Sequence, residues 1–296
     1  MPKLLAILTV AFIGSISGST FLVADATKPI EVVNLPFNTD ADEDDPHVAE
    51  GGLTLFYTLS TKGSGDLQFA RRRNLGQNWP AKSNPIDDYV KNKGETRSAF
   101  ATQGAYPHFL FFSAKDEEGK NYDLFVAVKQ GAGKSWSSPT PVMNVNTEAD
   151  ECFPWIVGDG KSLYFSRKTK DGWKLMVCSR TNARGPQGWS EPKEVDLPVG
   201  FHHATLTPDG KTMIVQGPLE KGRSGLFLCA KEGMGWAEPE PIVGLNHAEG
   251  KIGDRAPNLS RDGTILYFAS DRPGGKGGLD VYSVKMANVR KASGKK

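Results

Sequence analysis

The chain has 296 residues, with 36 basic and 34 acidic side chains and a formal charge of +2, so no global field recruits nucleic acid or an anionic membrane. Its 33 Gly and 19 Pro exceed average usage without reaching a disordered composition, and 38% hydrophobic residues are enough for a core. Turn formers spread evenly along the chain favour short strands over long helices.

In chain order, the first predicted element is a leader. Residues 1–3 are weakly positive, 4–13 form an apolar run broken only by Thr9, and 14–20 are small and polar ahead of Ala24. This pattern reads as a secretory signal over residues 1–24, since the run is half the roughly 20 residues that a membrane span requires. The expectation is a periplasmic or secreted protein with no stable membrane span.

An internal repeat organises the remainder of the chain. Residues 38–46, NTDADEDDP, return as 146–154, NTEADECFP, 108 residues downstream, or twice 54. Apolar strand cores end at Tyr57, Phe112, Phe165, Val215 and Phe268, and Trp79, Trp136, Trp189 and Trp236 fall at one phase of the same period. Repeats of this length are the mark of solenoids and propellers. Each copy has a strand, a tight turn such as Gly158-Asp159-Gly160-Lys161, a second strand, a polar loop, a third strand and a Trp segment. Gly at such turns supplies positive φ at low cost, so the first two strands pair as a hairpin.

Four strands per unit in five units predict an all-β, five-bladed β-propeller over residues 25–286, built from four-stranded antiparallel blades. The last copy ends at its third strand, residues 280–285, whereas residues 29–34 match 141–145, an outer fourth strand. The N-terminal strand is therefore expected to complete the last blade and close the ring, which removes the open edges. Residues 287–296, with Arg290, Lys291, Lys295 and Lys296, are expected to be a basic, disordered tail. Cys152, Cys178 and Cys229 show no short-range pairing and are read as buried apolar residues.

Asp254-Arg255-Ala256-Pro257, followed by Asp262-Gly263, Tyr267-Phe268, Ser270-Asp271, the glycines 274, 275, 277 and 278, and Asp280-Val281-Tyr282, resembles the WD40-like β-propeller repeat of TolB-type propellers, also found beside OmpA-type domains. Copies one and three resemble it clearly. In copy two Ala101 is read in place of the Pro, and in copy four Gly225 replaces the Asp of the third strand. The resemblance covers residues 29–285 and implies a propeller. It further implies an exported, non-catalytic binding module with a protein or cell-envelope partner, acting as a monomer.

With that alignment the residues three before the first-strand Pro are Glu43, Ser98, Glu151, Phe201 and Asp254. Innermost strands start at one mouth of the axial channel, so Asp44, Asp45, Arg97, His202, His203 and Arg255 are expected to converge there as a candidate binding site. His202 and His203 break the repeat pattern. Glu43, Glu151 and Asp254 either satisfy backbone donors at the strand starts or, under the alternative reading, are the catalytic carboxylates of a glycoside hydrolase-like five-bladed propeller acting on a glycan.

No cofactor or metal is expected. Residues 40–45 hold five acidic side chains in six positions, a pattern with the oxygen donors for calcium but not the EF-hand spacing, and are read as a solvated loop. Gly131-Ala132-Gly133-Lys134-Ser135 lacks the first Gly and the following helix of a phosphate loop. Arg71-Arg72-Arg73 aligns with Lys129, Arg180 and Lys231 at the ends of third strands, which reads as solvated edge protection rather than a nucleic-acid patch.

Overall fold

The computed structural model describes residues 29–292, apart from 87–89, 91–93, 103, 116–118 and 182–184. The leader expected over 1–24 lies outside the described residues.

Five antiparallel sheets form the ring of a five-bladed β-propeller. Blade one is β2 (Asp42–Ala49), β3 (Thr54–Thr61), β4 (Ser64–Arg71) and β5 (Asn84–Pro85). Blade two is β6 (Thr96–Ala101), β7 (His108–Lys115), β8 (Tyr122–Lys129) and β9 (Thr140–Pro141). Blade three is β10 (Glu151–Ile156), β11 (Ser162–Thr169), β12 (Gly172–Ser179) and β13 (Lys193–Glu194). Blade four is β14 (His202–Leu206), β15 (Thr212–Pro218) and β16 (Ser224–Glu232), with the short β17 (Gly235–Trp236) and β18 (Glu240–Pro241) both pairing with β16. Blade five is β19 (Asp254–Leu259), β20 (Ile265–Ser270) and β21 (Asp280–Lys285), completed by β1 (Val33–Asn34) from the other end of the chain.

The repeated apolar positions make the core. Tyr57, Phe112, Phe165, Val215 and Phe268 are all buried. Faces of neighbouring blades pack together, so that Phe100, Phe111 and Leu124 of blade two meet Ile156, Phe165 and Trp189 of blade three. Each of these side chains contributes about 2 kcal/mol of burial. All three cysteines are free and buried.

Closure rests on more than two residues of β1. Loops ahead of blades carry Asn38, Asn146 and Asn246, and each side-chain amide brackets one residue of the preceding blade's third strand, Val281, Leu124 and Leu226. Across the seam between last and first blade, a Cβ at Gly277 would lie 1.7 Å from the Ala41 carbonyl oxygen. Only glycine permits that approach, which gives the Gly-rich loop 274–278 a packing role.

Two expectations change. The segment from 287 begins as a helix, α1 (Met286–Ala292), with Met286 and Val289 buried against Leu266 and Phe268, so the tail is not disordered from its start. The basic ends of the third strands are not simply solvated either. Arg72, Lys129, Arg180 and Lys231 lie over the rings of Trp79, Trp136, Trp189 and Trp236 at 4.3, 5.6, 4.0 and 4.5 Å, so the repeated Trp and the repeated cation form one cation–π unit.

Candidate functional site

Every innermost strand carries a register shift near its start. At each shift one non-glycine residue takes a positive φ: Asp45 (52°), Ser98 (56°), Phe153 (60°), His203 (50°) and Ala256 (53°). Backbone in this region is strained for residues with a Cβ. Hydrogen bonds from the preceding blade hold three of the bulges, since the amides of Ser98, His203 and Ala256 donate to Thr58 Oγ1, Ser166 Oγ and Gln216 Oε1.

These bulges correct the alignment of copy two. Ser98 is equivalent to Asp45 and Phe153, so Ala99 rather than Ala101 stands where blades one, three and five have Pro, and Thr96 rather than Ser98 corresponds to Glu43. With two alanines two residues apart, the sequence offered no means of choosing between them.

Beside these bulges, charged side chains of blades one, two and five meet with His203 of blade four, and an ionic cluster results. Arg255 Nη2 lies 3.1 Å from Asp44 Oδ2, and Arg97 reaches Asp44 Oδ2 at 3.5 Å and Asp45 Oδ2 at 3.3 Å. The Ser98 and Thr58 hydroxyls donate to Asp45 Oδ2 at 2.8 and 3.1 Å, and His203 Nδ1 stands 3.9 Å from Asp45 Oδ1. Asp44 and Asp45 are buried, so the acidic segment 40–45 is not a solvated loop throughout. Asp42 accepts from the Leu279 amide, and Asp40 alone among these residues is exposed.

Aromatic faces border the cluster. The Phe153 ring stacks on His203 at 4.2 Å, Trp173 stacks on His202 at 5.4 Å, and the Arg97 guanidinium lies 5.6 Å from the Tyr122 ring centre. Four buried polar atoms here make no hydrogen bond among the described residues: Asp45 Oδ1, His202 Nδ1, His203 Nδ1 and Arg255 Nε. Such atoms are costly when left unsatisfied. The expected binding residues therefore do converge: Asp44, Asp45, Arg97, His203 and Arg255 in one network, with His202 beside it.

The electrostatics separate the two neighbouring carboxylates. Burial raises the Asp44 carboxyl above the usual carboxylate value, against the pull of Arg255. Burial acts on Asp45 in the same sense, but Arg97, with the Ser98 hydroxyl, outweighs it and holds that carboxyl below its usual value. His203 is pushed down to about 3, chiefly by burial, and is neutral.

Glu43, Glu151 and Asp254 do not join this network. Glu43 accepts from the Thr39 amide and hydroxyl, and Glu151 repeats the arrangement with Thr147 and adds Arg167 at 2.7 Å. Asp254 accepts from the His247 amide and pairs with Arg272 at 2.6 Å. All three tie their own blade to the loop ahead of it. Burial pushes Glu43 up to about 7, and Thr39 only partly offsets the rise.

Deeper in the channel His47, which the sequence pattern does not single out, bridges blades two and five. Its Nε2 lies 3.3 Å from the Ala101 carbonyl and its Nδ1 3.1 Å from Asn258 Nδ2. Burial lowers it to about 4, so the ring is neutral, Nε2–H donates and Nδ1 accepts. Its one signal in the sequence is its position directly after the first-strand Pro.

Fold and site together define a five-bladed propeller with a buried, incompletely satisfied polar cluster at the mouth where the innermost strands begin. No family model and no curated protein matches the sequence. Among solved structures, the chain is similar to the catalytic domain of a Coprinopsis cinerea GH62 α-L-arabinofuranosidase, with 12% identity over 88% of this chain and 97% of that one and a TM-score of 0.62. It is also similar to a GH43 endo-arabinanase from Bacillus licheniformis, at 11% identity over 85% and 96% and a TM-score of 0.59. A putative TolB from Agrobacterium tumefaciens reaches 15% identity over 88% and 85%, with a TM-score of 0.49.

At such identities the likeness establishes the fold. The expectation of a non-catalytic TolB-like module for a protein or envelope partner is corrected here, since the neighbours at TM-scores of 0.62 and 0.59 are glycoside hydrolases. Among the described residues no helix is long and apolar enough to cross a membrane.

Proposed function

We propose that this protein acts on carbohydrate as a glycoside hydrolase-like propeller, with the sugar bound at the mouth where the innermost strands begin. The observation that carries the reading is the set of unpartnered buried atoms, Asp45 Oδ1, His202 Nδ1, His203 Nδ1 and Arg255 Nε, beside the faces of Phe153 and Trp173. A polyhydroxylated ring supplies what these groups lack: hydroxyls that donate and accept, and a CH face that packs on aromatics.

The chemistry falls to Asp44 and Asp45 rather than to Glu43, Glu151 and Asp254, which are committed to the blade. Glycoside hydrolysis needs one carboxyl that keeps its proton and one that is ionised, and environments that push two neighbours apart provide such a pair. Asp44 in this role protonates the leaving oxygen, while ionised Asp45 activates water or attacks the anomeric carbon. Arg97 and Arg255 keep 24% and 22% of their side chains exposed, so a ligand reaches the carboxylates by displacing a guanidinium contact. The GH62 and GH43 neighbours support the class, and an exported location remains part of the same proposal.

The test is release of reducing ends from arabinose- and xylose-containing polysaccharides by the full-length protein and by Asp45→Asn. The reading expects activity in the first and a loss of at least about a hundredfold in the second. Equal rates in both proteins, or none in the first, would overturn it.

A further inference from the structure

The opposite mouth, where the innermost strands end, holds a cavity of about 480 Å³ that the carbohydrate reading does not use. Its size lies within the range of small-molecule sites. Phe100 and Trp155, set edge to face at 6.5 Å, wall the side formed by blades two and three, and Leu206 and Leu259 wall that of blades four and five. His47 lines this cavity and also the small pocket beside Asp45 and His203.

The polar groups around the cavity are almost all committed. Both His47 nitrogens are bonded. The Thr102 hydroxyl accepts from the Phe109 amide, and those of Thr207 and Ser260 donate to Asp209 and Asp262 within their turns. Asp159 accepts from the Lys161 amide and lies 3.9 Å from the same residue's ammonium. Arg261, exposed on the rim, is left with its guanidinium free of any hydrogen bond or ion pair among the described residues.

We infer that this mouth binds a small amphiphilic anion, an aromatic or aliphatic body carrying one carboxylate or sulfonate, with the body between Trp155 and Leu206 and the charge on Arg261. The walls of Phe100, Trp155, Leu206 and Leu259 favour an apolar body, and the free cation at the rim selects the opposite charge. The site is distinct from the carbohydrate site, so either can fail without the other.

The test uses 1-anilinonaphthalene-8-sulfonate as anionic probe and N-phenyl-1-naphthylamine as its neutral analogue, titrated into the full chain by fluorescence. The anionic probe is expected to bind saturably at one site per chain, with energy transfer that falls in Trp155→Phe. Arg261→Glu, an exposed change that leaves the core intact, is expected to weaken the anionic probe at least tenfold and leave the neutral one unchanged, and Leu206→Trp to abolish both by filling the cavity. Absence of saturable binding to the native chain overturns the site, and equal affinity of Arg261→Glu for the anionic probe overturns its selection for anions.

Discussion

Asn38 holds Val281, 243 residues away in sequence, at both backbone polar atoms: its Nδ2 donates to the Val281 carbonyl at 2.8 Å and its Oδ1 accepts from the Val281 amide at 3.0 Å. The contact joins the first described segment to the last strand of the ring. Asn38→Ala leaves the buried Val281 amide without its acceptor, while the Val281 carbonyl keeps the Leu35 amide at 3.1 Å, and is expected to cost about 1–3 kcal/mol. Urea denaturation reads the cost, and amide exchange of Tyr282 to Val284 should rise with it. Unchanged exchange would show that the glycine loop alone keeps the seam closed.

Among the described residues, Arg97 is the single cation in contact with both Asp44 and Asp45. Arg97→Met removes it and leaves buried charge uncompensated, with an expected loss of about 3 kcal/mol. Adding Asp45→Asn should recover part of that loss, because a neutral amide tolerates burial better than a carboxylate. A double-mutant cycle by chemical denaturation checks this, and purely additive losses would argue against the coupling.

Acidification should destabilise the fold. His47 and His203 titrate near 4 and 3 when folded and near 6.5 when unfolded, so the unfolded chain takes up more protons between these values and stability falls as pH drops through that window. Glu43 acts in the opposite direction. With its carboxyl raised from 4.5 to about 7 by burial, its contribution is complete below 4.5 and is lost as pH rises through 7. Two histidines outweigh one glutamate below pH 6.5, so thermal melts should show Tm falling from pH 6.5 toward 4. The fall should be shallower in His47→Gln and steeper in Glu43→Gln.

The ring was legible in the sequence because closure repeats one packing problem five times. Phe165 and Phe268 had to sit at one phase, and the match of residues 29–34 to an outer strand showed how the circle closes. The ionic cluster was legible as a set of residues but not as a network. The partners of Asp44 and Asp45 are supplied by other blades, Arg97 lying 52 residues beyond Asp45 and Arg255 lying 211 beyond Asp44, so a local reading sees only an acidic loop. A signal for the cation–π units was present, since Arg72, Lys129, Arg180 and Lys231 each precede their Trp by a short interval, but exposed third-strand ends suggested solvent instead.

The most direct measurement compares Asp44→Asn with the native chain on two glycosides of one sugar, one with a dinitrophenolate leaving group and one with an alkoxide leaving group. If Asp44 is the proton donor, turnover of the alkyl glycoside should fall at least about a thousandfold while the dinitrophenyl glycoside, whose leaving group needs no proton, stays within about tenfold of native. Equal effects on both glycosides in a variant that melts like the native chain would contradict the assignment of the acid, and a native chain inert toward every arabinose- and xylose-based substrate would contradict the account at its root.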